Sequence, residues 1–214
     1  IGYESYHELA YLHPDNFKPD TEIASKYVNT GKPYFILRFV KLGAHHDAGI
    51  TGISNEIAVR LIEILKPHGQ VYISSERMLD ENLEPYRIQI NPSDMHHVMA
   101  FAGLFVGDSQ TMAAEAGVLG TPFVRFNDFV GRIGYLRELE DKYHLGKGIK
   151  TNQVDFLLQT VKEMVNTPDI KKIYQVKKEK MLKEKIDLTA FMFWFITNYP
   201  ASAQQFKQDP GIQF

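Results

Sequence analysis

The run PYFILRFV, residues 33–40, constrains the fold more than any other stretch of the chain. It carries a single charge, Arg38, and no alternation of apolar with polar residues. A strand with one wet face alternates, whereas a strand covered on both faces reads as a continuous apolar run rich in β-formers. This chain therefore needs helices above and below a buried sheet. Four further segments read as strands: QVYISS (70–75), YRIQI (86–90), GLFVG (103–107) and PFVRF (122–126).

Helical stretches alternate with these strands. Ser54 can cap a helix whose stripe is Ile57, Leu61, Ile62 and Leu65, ended by Pro67, His68 and Gly69. Ser93 can cap the short DMHHVMAFA, in which one of His96 and His97 is expected to face the core edge and the other solvent. SQTMAAEAGVLG follows the fourth strand. YLRELEDKY comes next, then Gly146–Lys147–Gly148, to which no element is assigned. The remainder is mostly helical, with the aromatic FMFWFITNY near the end. Repeated strand–helix–strand order specifies an α/β fold: a Rossmann-like three-layer domain with a central parallel sheet. We assign it to residues 33–200. Residues 1–32 read as a linker-like leading segment and 201–214 as a polar tail. The start, without Met and rich in turn formers, reads as the later part of a longer protein.

Composition excludes several function classes. The 214 residues carry a formal net charge of -2, which offers no electrostatic footprint for nucleic acid. The lysine-rich run KKIYQVKKEKMLKEK reads as a solvated helix face. The longest apolar run, AFMFWFI, falls well short of the roughly 18–20 residues of a membrane span. The chain has no cysteine, so disulfides and thiolate zinc sites are ruled out, which fits a reducing cytoplasm.

Ligands of an open parallel sheet bind beyond the carboxyl ends of its strands. After GLFVG the chain reads Asp108–Ser109–Gln110–Thr111, where a helix begins. The first N–H groups of a helix lack partners and its dipole adds positive charge, so phosphate binds there. Ala113, Ala114 and Ala116 keep this helix slim, and Met112, Ala116 and Leu119 form its packing stripe. Glu115, one turn after Thr111, is placed at the cleft mouth, where a carboxylate can accept two hydrogen bonds from a ribose diol. The bland alternative is that Asp108 or Ser109 merely caps the helix and Glu115 lies on the surface.

The loop KLGAHHDAGITG follows the first strand and reaches the same end of the sheet. Arg38, His45 and His46 could neutralise a diphosphate leaving group, with Asp47 orienting one imidazole, so His45, His46 and Asp47 are the candidate catalytic residues. Two other readings stand beside this one. The first is a metal site of His45, His46, Asp47 and Asp108, although adjacent histidines rarely address one ion and no metal is expected. The second is a polar loop whose histidines bond backbone. Arg125, Asn127 and Asp128 follow the fifth strand and are placed to line the cleft, with Arg132 in reach. Trp194 and its neighbours read as helix packing. No nucleophile elbow, P-loop or dinucleotide fingerprint is present.

From Tyr86 to Arg125 the chain resembles the C-terminal domain of the UDP-N-acetylglucosamine 2-epimerases and related GT-B glycosyltransferases. The carrying motif is DSQTMAAEAGVLGTP. The resemblance implies that Ser109 holds phosphate and Glu115 holds ribose; Gln110 and Thr111 at the same helix start, and Arg38 and Arg125 from the strands beside it, are taken with them as the candidate nucleotide-binding residues. ELAYLHPDNFKPD, LRFVKLGAHHDAG and GDSQTMAAEAGVLGTP also look like the DUF354 proteins, shortened GT-B-like chains, over most of residues 6–145. Two departures stand out. Gln110–Thr111 replaces the Gly-Gly of the epimerase motif, and NDFVGR replaces its Thr-Glu-Arg-Pro-Glu run. The resemblance implies a UDP-sugar as ligand, no cofactor, and an N-terminal half-domain as the partner across a cleft. A non-catalytic nucleotide- or partner-binding module and a metal-dependent hydrolase at the His-His-Asp loop are the alternatives.

Overall fold

The computed structural model describes residues 2–41 and 52–213. Five parallel strands form one sheet: β1 (Tyr34–Phe39), β2 (Gln70–Ser75), β3 (Leu104–Gly107), β4 (Phe123–Phe126) and β5 (Gly146–Ile149), in the order β2-β1-β3-β4-β5. Alternate residues of β1 feed two separate cores. Tyr34 and Ile36 join the helices of one face, and Phe35, Leu37 and Phe39 join those of the other. That two-sided burial is why the run lacks polar alternation.

One face is covered by α3 (Asn55–Leu65) and α7 (Val154–Val165). The other is covered by α4 (Met95–Phe101), α5 (Gln110–Leu119), α6 (Gly134–Arg137) and α8 (Ile170–Glu184). The helices start and stop as their sequences dictate. Ser54 Oγ accepts from the Ile57 amide at the start of α3, and Gly120, at φ 75°, takes the left-handed position that ends α5. The expected three-layer Rossmann-like arrangement is the one found.

Two element assignments change. Residues 86–90 do not form a strand. Glu84–Tyr86 is a single 3₁₀ turn, and Arg87 makes only an isolated bridge to Ile73. Pro85 and Pro92 flank this segment and each removes a donor, so the ladder stops after Ile88 donates to Ile73. Conversely Gly146–Lys147–Gly148 belongs to β5. A Cβ on Gly146 would come within 2.4 Å of the Phe123 ring, and one on Gly148 within 2.7 Å of Glu140. Side chains are excluded there by neighbours, so the strand carries no apolar pattern to read.

The leading segment is not a free linker. It forms α1 (Leu9–Leu12) and α2 (Thr21–Ser25), and Tyr6, Leu9, Leu12, Ala24 and Val28 are buried in the core. The end of the chain forms α9 (Leu188–Thr197) and α10 (Ala201–Gln208), where Phe191, Trp194, Phe195 and Phe206 pack together. Residues 201–214, read as a tail, thus contribute the buried Ser202 and Phe206. No described helix is long and apolar enough to cross a membrane.

Candidate functional site

The strand order reverses between β1 and β3. From β1 the chain moves outward to β2 and then crosses back to β3 on the other side. Such a switch point leaves a crevice outside the carboxyl ends of the two central strands, where open α/β sheets bind ligands. Arg38, near the end of β1, pairs in register with Gly107, the last residue of β3. A Cβ on Gly107 would sit 2.9 Å from both the Cβ and the carbonyl oxygen of Arg38, so only glycine allows this approach.

A cleft of about 440 Å³ opens beside this point, at the carboxyl ends of β1 and β2, within the usual range for small-molecule sites. Arg38, Ser74 and Ser75 form its floor, Met112 and Glu115 of α5 one wall, and Ile88, Ile90, Pro92 and Met95 an apolar wall. The Arg38 guanidinium donates to Ser74 Oγ at 2.8 Å and pairs with Glu76, while its Nε–H is buried with no acceptor. A second cavity, of about 600 Å³, lies beside β5 at the edge of the sheet, away from the switch point.

At the start of α5, Ser109 is the cap: its Oγ accepts from the Met112 amide at 3.3 Å. The amides of Gln110 and Thr111 make no hydrogen bond among the described residues. They are the open N–H groups at the positive end of the helix. The Gln110 side chain turns inward and accepts from Arg125, and Thr111 is exposed.

Asp108 has a different task. Its Oδ1 accepts from the Val40 amide at 2.8 Å and its Oδ2 from the Ile53 amide at 3.3 Å. One carboxylate thereby joins the two sides of the segment that contains His45, His46 and Asp47. Those three candidates lie outside the described residues. Burial pushes the Asp108 carboxyl up to about 6, against the two amide bonds that favour its charge. With both oxygens engaged by backbone, Asp108 is a structural tie and not a spare metal ligand. His13, Asp15 and Asp187 also converge, but Asp187 caps α9 through Thr189 and Ala190, and the group does not line the cleft.

Glu115 is 8% exposed and lines the cleft. Its Oε1 accepts from the Tyr11 hydroxyl at 2.9 Å and lies 3.1 Å from His96 Nε2. Nothing in the sequence connects Tyr11 with Glu115, because docking of the leading segment creates the contact. One of His96 and His97 is expected to face solvent, but both are half-buried, and His97 Nδ1 accepts from the Asp20 amide at 2.9 Å. Both histidines of α4 therefore hold the leading segment, with Phe17 packed on each ring.

Arg125 is not at the cleft. It is fully buried, bound to Glu140 at 2.7 and 3.0 Å and to Gln110 at 2.7 Å. It alternates inward from β4, where a charge survives only with partners. Asn127 is likewise buried, donating to the Asp108 carbonyl and accepting from the Phe129 amide. The Asp128 carboxylate accepts from Thr151. Ser74 and Ser75 were missed as cleft residues, although their place at the carboxyl end of β2 was a usable signal.

No family model and no curated protein matches the chain. Among solved structures it is similar to CalG4, the calicheamicin glycosyltransferase, at 14% identity and a TM-score of 0.51, covering 79% of this chain and 43% of that one. It also aligns with the wall teichoic acid polymerase TagF, at 13% identity and a TM-score of 0.49, over 86% of this chain and 47% of that one. A third match is Os79 from O. sativa in complex with UDP, at 15% identity and a TM-score of 0.49, over 78% and 38%. The chain thus spans less than half the length of each. The CalG4 likeness supports the GT-B-like, Rossmann-type fold.

Proposed function

We propose that this chain is the nucleotide-gripping half of a GT-B-like glycosyltransferase or sugar epimerase, and that its ligand is a UDP-sugar. The observations that carry the reading are the buried Arg38 Nε–H and, at the start of α5, the amides of Gln110 and Thr111, none of which has an acceptor among the described residues. Donors buried without acceptors are costly unless a ligand supplies one. A diphosphate supplies several. Held there, it meets a helix N-terminus and a cation that stabilise the negative charge developing as a sugar departs. Glu115 lies along the same wall, in position to take a ribose diol, and Ile88, Ile90 and Pro92 offer the base an apolar surface. The motif resemblance to the epimerases and DUF354 proteins agrees with this reading.

On this reading an N-terminal half-domain of the same protein faces the cleft and brings acceptor and catalytic base. Alone, this chain binds nucleotide and turns nothing over. The test is calorimetric titration of the chain and its Glu115→Ala variant with UDP, UDP-N-acetylglucosamine and CDP. We expect UDP to bind and the substitution to weaken it by about 1–3 kcal/mol, as for a hydrogen bond to a charged group. Absence of binding by all three at millimolar concentration sinks the reading.

A further inference from the structure

Glu115 is not a lone carboxylate in the cleft. Its Oε1 receives the Tyr11 hydroxyl at 2.9 Å, and His96 Nε2 lies 3.1 Å from the same oxygen. The two rings stand 5.7 Å apart, tilted by 42°. Oε2 has no hydrogen-bond partner among the described residues. A carboxylate gripped by one oxygen is fixed in rotation, so the direction of its second oxygen is fixed too.

Tyr11 comes from a distant part of the chain, 104 residues before Glu115. The leading segment that carries it is docked independently of this bond. Tyr6, Leu9 and Leu12 are buried, the Asp20 amide donates to His97, and the Tyr27 hydroxyl donates to Asp94 at 2.8 Å. Glu8 is 4% exposed, and burial together with the nearby Glu115 pushes its carboxyl up, so it holds its proton more tightly than a free side chain. Among the described residues Glu8 Oε2 has no hydrogen-bond partner. Tyr135, from α6, stands close to both acids.

We propose that Tyr11 and His96 are positioning residues that lock the Glu115 carboxylate by Oε1 and leave Oε2 to receive the vicinal hydroxyls of a ribose. This rests on the nucleotide reading above and adds a specific role for the leading segment. It is the segment that completes the sugar-recognition wall of the cleft. The lock favours ligands whose ribose carries its hydroxyls, because only those use the oriented oxygen.

The experiment compares UDP with 2′,3′-dideoxy-UDP, titrated into the unmodified chain, Tyr11→Phe and His96→Gln. Phenylalanine keeps the ring and its packing and removes only the hydroxyl. We expect Tyr11→Phe to weaken UDP about fivefold to tenfold, the scale of one ordinary hydrogen bond, and to leave dideoxy-UDP within about twofold. His96→Gln, which keeps a donor, should fall between the two. Equal weakening of both ligands overturns the proposal, because it marks a general structural effect. Unchanged or tighter UDP binding by Tyr11→Phe also overturns it, the latter by showing that Tyr11 obstructs the site. Failure of the unmodified chain to bind either ligand overturns the nucleotide reading and this proposal together, and is seen before any variant is made.

Discussion

Arg125 and Glu140 form an ion pair sealed inside the domain: the guanidinium has no exposed surface, and its Nε and one terminal nitrogen lie 3.0 and 2.7 Å from the same carboxylate oxygen. Breaking a buried pair leaves one charge stranded, whereas replacing both partners with apolar groups is often neutral. Glu140→Ala should therefore destabilise the chain by about 3–5 kcal/mol in urea unfolding. The double variant Arg125→Met with Glu140→Leu should recover most of that loss. A Glu140→Ala variant as stable as the parent would mean that the pair is not sealed.

Asp108 makes stability depend on pH in a defined window. Its folded-state pKa, about 6, lies above its ordinary value of 3.8, so between these limits the folded chain holds a proton the unfolded chain releases. Its contribution is fully present below pH about 4 and is lost as pH rises to about 6. With each pH unit equivalent to about 1.4 kcal/mol, the fall is bounded at about 3 kcal/mol. Glu8 and Glu140, also raised by burial, act in the same direction. Asp108→Asn should flatten the slope of unfolding free energy against pH over this window without abolishing it. An unchanged slope would contradict the assignment.

The approach of β1 to β3 has no room for a side chain at residue 107. Gly107→Ala places a methyl 2.9 Å from backbone and Cβ atoms of Arg38, neither of which is a flexible tip. Overpacking of this kind costs about 1–3 kcal/mol. Thermal unfolding should report that loss, and the same variant should weaken UDP because Arg38 is displaced. Parent-like melting and binding together would show that the strands part freely.

Ser109 separates two roles. Its Oγ caps α5 through the Met112 amide. Ser109→Ala should lose about 1 kcal/mol of stability, and Ser109→Gly only a few tenths. If the hydroxyl also meets phosphate, both variants should weaken UDP to the same degree despite their different stabilities. Weakening that tracks stability instead would leave Ser109 a cap alone.

Much of the fold was legible because buried parallel strands and capped helices write strong local patterns. PYFILRFV and the Ser54 helix are examples. β5 was not legible, because Phe123 and Glu140 exclude side chains from Gly146 and Gly148 and so erase the pattern. The strand expected at 86–90 failed for the opposite reason: its composition suits a ladder, but the flanking prolines leave it a single bridge. Among the residues that line the cleft, Arg38 and Glu115 were legible from their places near the end of a strand and in the helix after β3. Tyr11 and the inward turn of Arg125 were not, since both depend on contacts between distant segments.

The central claim is that a nucleoside diphosphate sits at the β1/β3 switch point. The most direct measurement is the amide resonance of each residue, followed by NMR as UDP is added. The account predicts that the Gln110 and Thr111 amides and the Arg38 Nε–H shift most, and saturate together. Shifts concentrated elsewhere, for example around Lys147 and Tyr174 in the cavity beside β5, would contradict it.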